Sequence, residues 1–290
     1  MLNKQAYLII CHNNFRQLCM LLELIDDKKN DIFIHVDKKS KDYSINELKT
    51  HVTNGTLTFV KSINVSWGGS SMIKAEMLLL KEATKSFHMY YHLISGVDLP
   101  LKTQEEIYAF LCEKPDKNYI SIDNFENDVH SDFIDRVRYY YPFQNTIGRN
   151  GGVIPSLCYN LQEKLLLIQK KIGVNRIKKL ELEFAKGGQW FSITHDAALY
   201  VLDSQKLINK IFRWTICADE IFLQTVIFNS EFKDSIDNNT LRYIDWNRGS
   251  PYTFREDDYD VLINSNCFFA RKFDINTDER IINLIYNYLH

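Results

Sequence analysis

The sequence predicts an α/β fold: a mixed, mostly parallel sheet of Rossmann type, flanked by helices and carrying an α-rich insertion at about residues 124–186. Three observations predict it. Short apolar runs alternate with helical periodicities along most of the chain, the order that yields parallel strands joined by helical crossovers. Polar residues gather where those runs end, at His12, Asp37 and residues 95–102. At 290 residues and 45% hydrophobic content, the chain can bury one large core.

The elements follow in order. Residues 7–11 are an apolar first strand, 15–25 carry helical spacing, and 31–36 form a second strand ending at Asp37. Residues 57–60 supply a third strand, 70–85 a helix and 90–94 a fourth strand. Thr103 and Glu106 form a capping box, each side chain meeting the other's backbone N–H, so a helix runs over 104–111. From about 124 to 186 the pattern changes to acidic and aromatic runs, the Gly-rich piece Gly148-Arg149-Asn150-Gly151-Gly152 and a long helical pattern over 156–171. Regular order resumes with a strand at 190–193, helices at 196–202 and 219–229, a strand at 241–244 and a closing helix at 278–289. With no internal repeat or low-complexity linker, residues 1–290 are expected to form a single domain.

Lys and Arg (35) nearly balance Asp and Glu (37), which argues against nucleic acid as a partner and leaves any anion to be bound locally. The first twelve residues are too short for a membrane span and lack a small-residue cleavage site, so a cytoplasmic protein is expected. Six scattered cysteines form no C-x-x-C pair; they are expected to be reduced core thiols, not a zinc site or disulfide framework. Aromatics at 13% suit core packing first and sugar stacking second.

Seven segments occur in a telling order: Ala6-Tyr7-Leu8-Ile9, Ile34-His35-Val36-Asp37-Lys38-Lys39-Ser40, Val65-Ser66-Trp67-Gly68, the run from Leu93 through Ser95-Gly96-Val97-Asp98-Leu99-Pro100 to Thr103, Gly187-Gly188-Gln189-Trp190-Phe191, Ala218-Asp219-Glu220, and Phe269-Ala270-Arg271-Lys272-Phe273-Asp274. Over almost the whole chain they resemble the core-2/I-branching β-1,6-N-acetylglucosaminyltransferases and the related peptide O-xylosyltransferases of glycosyltransferase family 14. The resemblance implies a GT-A-like fold, a UDP-sugar donor, inversion at the anomeric carbon and no divalent cation or other cofactor.

Inversion requires a carboxylate within reach of the attacking hydroxyl, and the resemblance places Glu220 there as base. Its expected position in the first turn of a helix favours the ionised form, although acidic residues also decorate helix starts for purely structural reasons. Asp219 is then a cap or a supporting partner. The diphosphate leaving group needs a cation, and the resemblance puts Lys272 there, with Arg271 as helper or as surface. The family's second phosphate-binding arginine is replaced near Tyr252; Arg248 or Arg255 stands in for it. A D-x-D reading of Asp258-Tyr259-Asp260 conflicts with its place at the start of a helical run, so no metal site is expected.

On the same resemblance, Asp37 contacts the uridine and Val36 packs on the base; a turn aspartate is the plain alternative. Trp67 sits in a matching loop. Asp98 either meets the donor sugar or fixes its own turn. Trp246 packs on the acceptor, Trp190 lies at the donor–acceptor boundary, and Arg136 and Arg138 loosely match an acceptor-contacting segment. The expected function is transfer of a sugar, GlcNAc first and xylose or another hexose second, to a glycan or lipid-linked saccharide in bacterial surface polysaccharide synthesis, with peripheral membrane contact. A nucleotide-dependent oxidoreductase would need G-x-G-x-x-G after the first strand, where Cys11-His12-Asn13-Asn14-Phe15 stands. A non-catalytic sugar-binding relative is the remaining alternative.

Overall fold

A computed structural model describes residues 3–123, 133–149, 151–249 and 251–290. The opening of the expected insertion, 124–132, lies outside the described residues. In chain order the first half runs β1 (Gln5–Cys11), α1 (Phe15–Ile25), β2 (Asn30–Val36), α2 (Ile45–Thr50), β3 (Thr56–Phe59), α3 (Ser71–Ala83), β4 (Tyr90–Ser95), β5 (Leu99–Pro100), α4 (Gln104–Glu113) and β6 (Asn118–Ile120). Then come α5 (Phe133–Arg138), α6 (Gln144–Ile147), α7 (Val153–Lys171), β7 (Phe191–Thr194), α8 (His195–Asp203), α9 (Gln205–Phe212), α10 (Phe222–Phe228), β8 (Ile236–Asp237), β9 (Arg242–Ile244), α11 (Tyr259–Ile263), β10 (Phe269–Arg271) and α12 (Glu279–Leu289).

The main sheet has the order β3-β2-β1-β4-β7-β6-β8. β1 is parallel to both β2 and β4, and β2 to β3, whereas β7 runs antiparallel to β4 and β6. A strand covered on both faces must be largely apolar, and β1 is apolar from Ala6 to Cys11. Its alternate side chains divide the core: Tyr7, Ile9 and Cys11 join α1, α4 and α12, while Ala6 and Leu8 join α3, α8, α9 and α10. The structure is thus a mixed, mostly parallel sheet with helices on both faces, and the capping box at Thr103 and Glu106 is present.

β7 enters the sheet antiparallel between β4 and β6. Its register, Tyr90 opposite Thr194 and His92 opposite Ser192, brings the segment before β7 beside the carboxyl end of β4. A second sheet, β5-β10-β9, takes the strand expected at 241–244 away from the main sheet. The buried Arg242 on β9 ties the two together by donating to the carbonyls of Leu93 (3.1 Å) and Phe191 (2.6 Å) and to Ser192 Oγ (2.6 Å).

Two other expectations change. The helix expected over 219–229 is split: Ala218–Glu220 is a 3₁₀ turn and α10 starts only at Phe222. Cys217 enters with φ 46°, and the Glu220 carbonyl accepts from Gly187 N at 2.9 Å, so it is not used within a helix. The six cysteines are free; Cys11 and Cys19 are buried and Cys267 packs half-buried against the same core, whereas Cys112 is exposed, so the core-thiol reading fits some of them and not all.

Candidate active site

A ring of contacts encloses the carboxyl edge of the central strands. At the end of β2, Asp37 accepts from Lys39 N (2.9 Å) and Val65 N (3.3 Å), drawing the 65–70 loop over the strand. Gly68, at φ 68°, accepts the Cys217 N–H at 2.8 Å, which docks that loop on the turn bearing Glu220. The Glu220 carbonyl then binds Gly187. A Cβ on Gly187 would stand 1.8 Å from the Ser121 carbonyl oxygen, so only glycine lets the chain pass there. Two residues on from Gly188, Trp190 carries the Arg271 guanidinium 4.1 Å above its ring, and Arg271 reaches back to Ser95 and Asp98.

Glu220 presents a carboxylate that is 37% exposed and holds Arg136 Nη1 at 2.8 Å. Behind it the environment turns dry. Asp219 Oδ1 is sealed from solvent with no hydrogen-bond partner among the described residues. Burial, and then the charge of Glu220, push its carboxyl up to about 7. Glu76, fully buried on α3, accepts from Gln189 Nε2 at 2.8 Å, and burial followed by the Asp219 charge raises it well above the usual carboxylate range. The exposed carboxylate is therefore backed by two buried acids whose carboxyls burial holds above the usual range.

The cation over Trp190 is Arg271, whose side chain is 16% exposed. Asp98 is fully buried; it accepts from Ser95 Oγ (2.5 Å) and Ser95 N (2.9 Å) and lies 3.5 Å from Arg271. Of its two expected roles the geometry matches loop fixing, because both oxygens are engaged away from solvent. Burial dominates this pair, raising Asp98 and lowering Arg271. Lys272 follows, half-buried, its backbone carbonyl bound by Phe254 N at 3.0 Å; its ammonium has no ion-pair partner among the described residues.

The Core-2/I-branching enzyme family matches residues 5–263. The chain belongs to that family. Xylosyltransferase 2 of Rattus norvegicus is 25% identical over 97% of this chain and 33% of its own length, and that of Mus musculus 26% over the same shares. Xylosyltransferase 1 of Rattus norvegicus is 24% identical over 98% of the chain and 35% of its own length. The chain thus spans about a third of the length of the curated relatives it matches. Among solved structures, apo mouse xyloside xylosyltransferase 1 aligns over 94% of this chain and 99% of its own at 8% identity, with a TM-score of 0.39. TarS of S. aureus aligns over 50% of this chain and 26% of its own at 14% identity, with a TM-score of 0.31.

In this Core-2/I-branching chain the remaining expected site residues divide sharply. Arg248 is held by Asp245 (2.6 Å) and Asp258 (2.7 Å) and stacks on Tyr252 at 4.0 Å, so its charge is already neutralised. Asp258 also accepts from Arg255 N at 2.8 Å at the start of a short helical segment, which leaves it poorly placed for a D-x-D role. The Arg255 side chain is exposed. Val36 is 2% exposed and packs in the core, which corrects its expected place against a base, and Asp37 is a buried turn aspartate. Trp190 is covered by Arg271, so its ring is a floor for that cation and not an open acceptor platform. Trp67 is half-exposed beneath the Arg149 guanidinium at 4.5 Å, and Trp246 is 63% exposed in the loop after β9.

Arg138 does not reach the site; it pairs with Asp135 at 2.8 Å, and Arg136 is the residue at Glu220. Residues two apart on a helix point to different sides, which separates the two arginines. Glu76, Gln189 and Arg242 were missed. Glu76 did leave a signal: an acid placed between Ile73 and Leu80 on the apolar face of α3.

Proposed function

We propose that the chain is an inverting, metal-independent glycosyltransferase that moves a sugar from a UDP-sugar to a hydroxyl of a glycan acceptor, acting as a single catalytic domain of GT-A-like fold. The supporting observation is the juxtaposition, through Gly187–Trp190, of a solvent-facing carboxylate at Glu220 with the cationic pair Arg271 and Lys272. In the reaction the acceptor oxygen attacks the anomeric carbon from the face opposite UDP. The bond to the β-phosphate oxygen breaks and its electron pair leaves with UDP, while the acceptor proton passes to Glu220. Arg271 and Lys272 meet the charge that develops on the diphosphate. Trp246 offers the exposed aromatic face that an acceptor sugar stacks on.

UDP-GlcNAc is the first donor to test and UDP-xylose the second, the latter favoured by the xylosyltransferase names of the relatives. The acceptor is a glycan or lipid-linked saccharide of bacterial surface polysaccharide synthesis, handled on the cytoplasmic side. A donor screen reading UDP release tests this, with and without EDTA. Turnover with one UDP-sugar, undiminished by EDTA and lost in Glu220→Gln, is the expected result. Loss with EDTA overturns metal independence, and no turnover with any UDP-sugar leaves the non-catalytic sugar-binding reading.

A further inference from the structure

α7 is built inside out for a surface helix of a water-soluble domain. Its inward hydrogen bonds are made by glutamines: Gln162 accepts from Phe143 N (3.2 Å) and donates to Gln144 Oε1 (3.3 Å), and Gln169 accepts from Tyr140 N (2.8 Å) and donates to the Tyr140 carbonyl (2.9 Å). Its outward side carries Ile154, Leu157, Leu161, Ile168 and Ile172, exposed by 46 to 70%. Their spacings of three, four, seven and four residues keep them on one helical stripe, about 27 Å long at 1.5 Å per residue. Lys164 and Lys171, seven apart, run along one edge of it.

Charge identifies the occupant. Between Val153 and Lys179 six basic residues, Lys164, Lys170, Lys171, Arg176, Lys178 and Lys179, face one acid, Glu163, in a chain whose net charge is −2. Lys170 is engaged with Asp135, and Arg176 is turned inward onto Tyr139 and Ile211 carbonyls; the other four lysines are solvent-facing. A second copy of this helix would set lysine rows against each other. We propose that α7 lies in the interface of an anionic lipid bilayer, apolar stripe inserted and lysines against the headgroups. No helix among the described residues is long and apolar enough to cross a membrane, so this contact is peripheral. Because α5, which carries Arg136 to Glu220, is bound to α7 through Asp135 and the loop at Tyr140, the site sits beside the lipid surface. Its bearing on a lipid-linked acceptor rests on the glycosyltransferase reading; vesicle binding itself does not.

Co-sedimentation of the full chain with phosphatidylcholine vesicles, with and without phosphatidylglycerol, tests it. Binding is expected only with phosphatidylglycerol and should weaken as salt rises. Leu157→Ser with Ile168→Ser should weaken it by about tenfold or more. Lys164→Glu with Lys171→Glu should weaken it by roughly 25-fold. All four positions are exposed, so melting temperature and UDP release onto a soluble acceptor should stay unchanged. Absence of binding to anionic vesicles, or equal binding by the variants, overturns the proposal. So does a concentration-dependent dimer that the Leu157→Ser, Ile168→Ser variant makes monomeric while vesicles bind neither protein. Vesicle binding is read without any sugar, so its failure and a failed donor screen are separate results.

Discussion

The substitution Asp219→Asn removes one of the two acids sealed behind the proposed base. The Asp219 carboxyl is raised to about 7, chiefly by burial and then by the Glu220 charge, against about 3.9 for an unfolded aspartate. A folded value above the unfolded one stabilises the protein at low pH. That contribution is complete below about 3.9 and is lost as pH rises through about 7. A gap of about three units corresponds to roughly 4 kcal/mol for a group fully shut off from water. The substituted asparagine cannot ionise and lacks this slope, so between pH 5 and 8.5 wild type should lose several kcal/mol relative to the variant, about 3 as a working figure. Urea unfolding followed through the four tryptophans at a series of pH values measures it. Glu76 persists in both proteins, so each retains some slope. Two curves that stay parallel across the range would show that Asp219 is solvated and ionised, and the dry backing of Glu220 would be refuted.

Glu220→Gln should cut turnover by about 10² to 10⁴, read as UDP release, while stability shifts by less than about 1 kcal/mol, because its ion pair with Arg136 faces solvent; unchanged turnover removes it as the base. Arg271→Ala strands the buried Asp98 and should cost about 3 kcal/mol in denaturant unfolding. Lys272→Ala should leave stability nearly intact yet raise KM for the donor, so equal effects in the two variants contradict their different settings. Gly187→Ala forces a Cβ to within 1.8 Å of a carbonyl oxygen and should lower stability by more than about 2 kcal/mol, visible as a lowered melting temperature.

What could be read from the chain alone follows physical range. α1 and α4 were legible because periodicity and a capping box are local, and β1 and β2 because buried strands must be apolar. β5 and β8, two residues each, exist only through pairing with distant partners, and no local pattern marks them. The break between Glu220 and α10 is invisible locally for the same reason: it depends on Gly187 claiming a carbonyl. At the site, motif order singled out Glu220, Arg271 and Lys272 as candidates. It could not show that Arg248 is neutralised by Asp245 and Asp258, that Trp190 is already covered, or that Arg136 and not Arg138 turns toward the carboxylate. Each of those facts is a choice among partners that only three-dimensional packing makes.

The cation beside Glu220 comes from α5, outside the strand-and-helix frame that carries the carboxylate itself. Exchanging the insertion for that of a relative would therefore strip the carboxylate of its counter-ion. A chimera that keeps this pairing has to bring an arginine or lysine aimed back at residue 220.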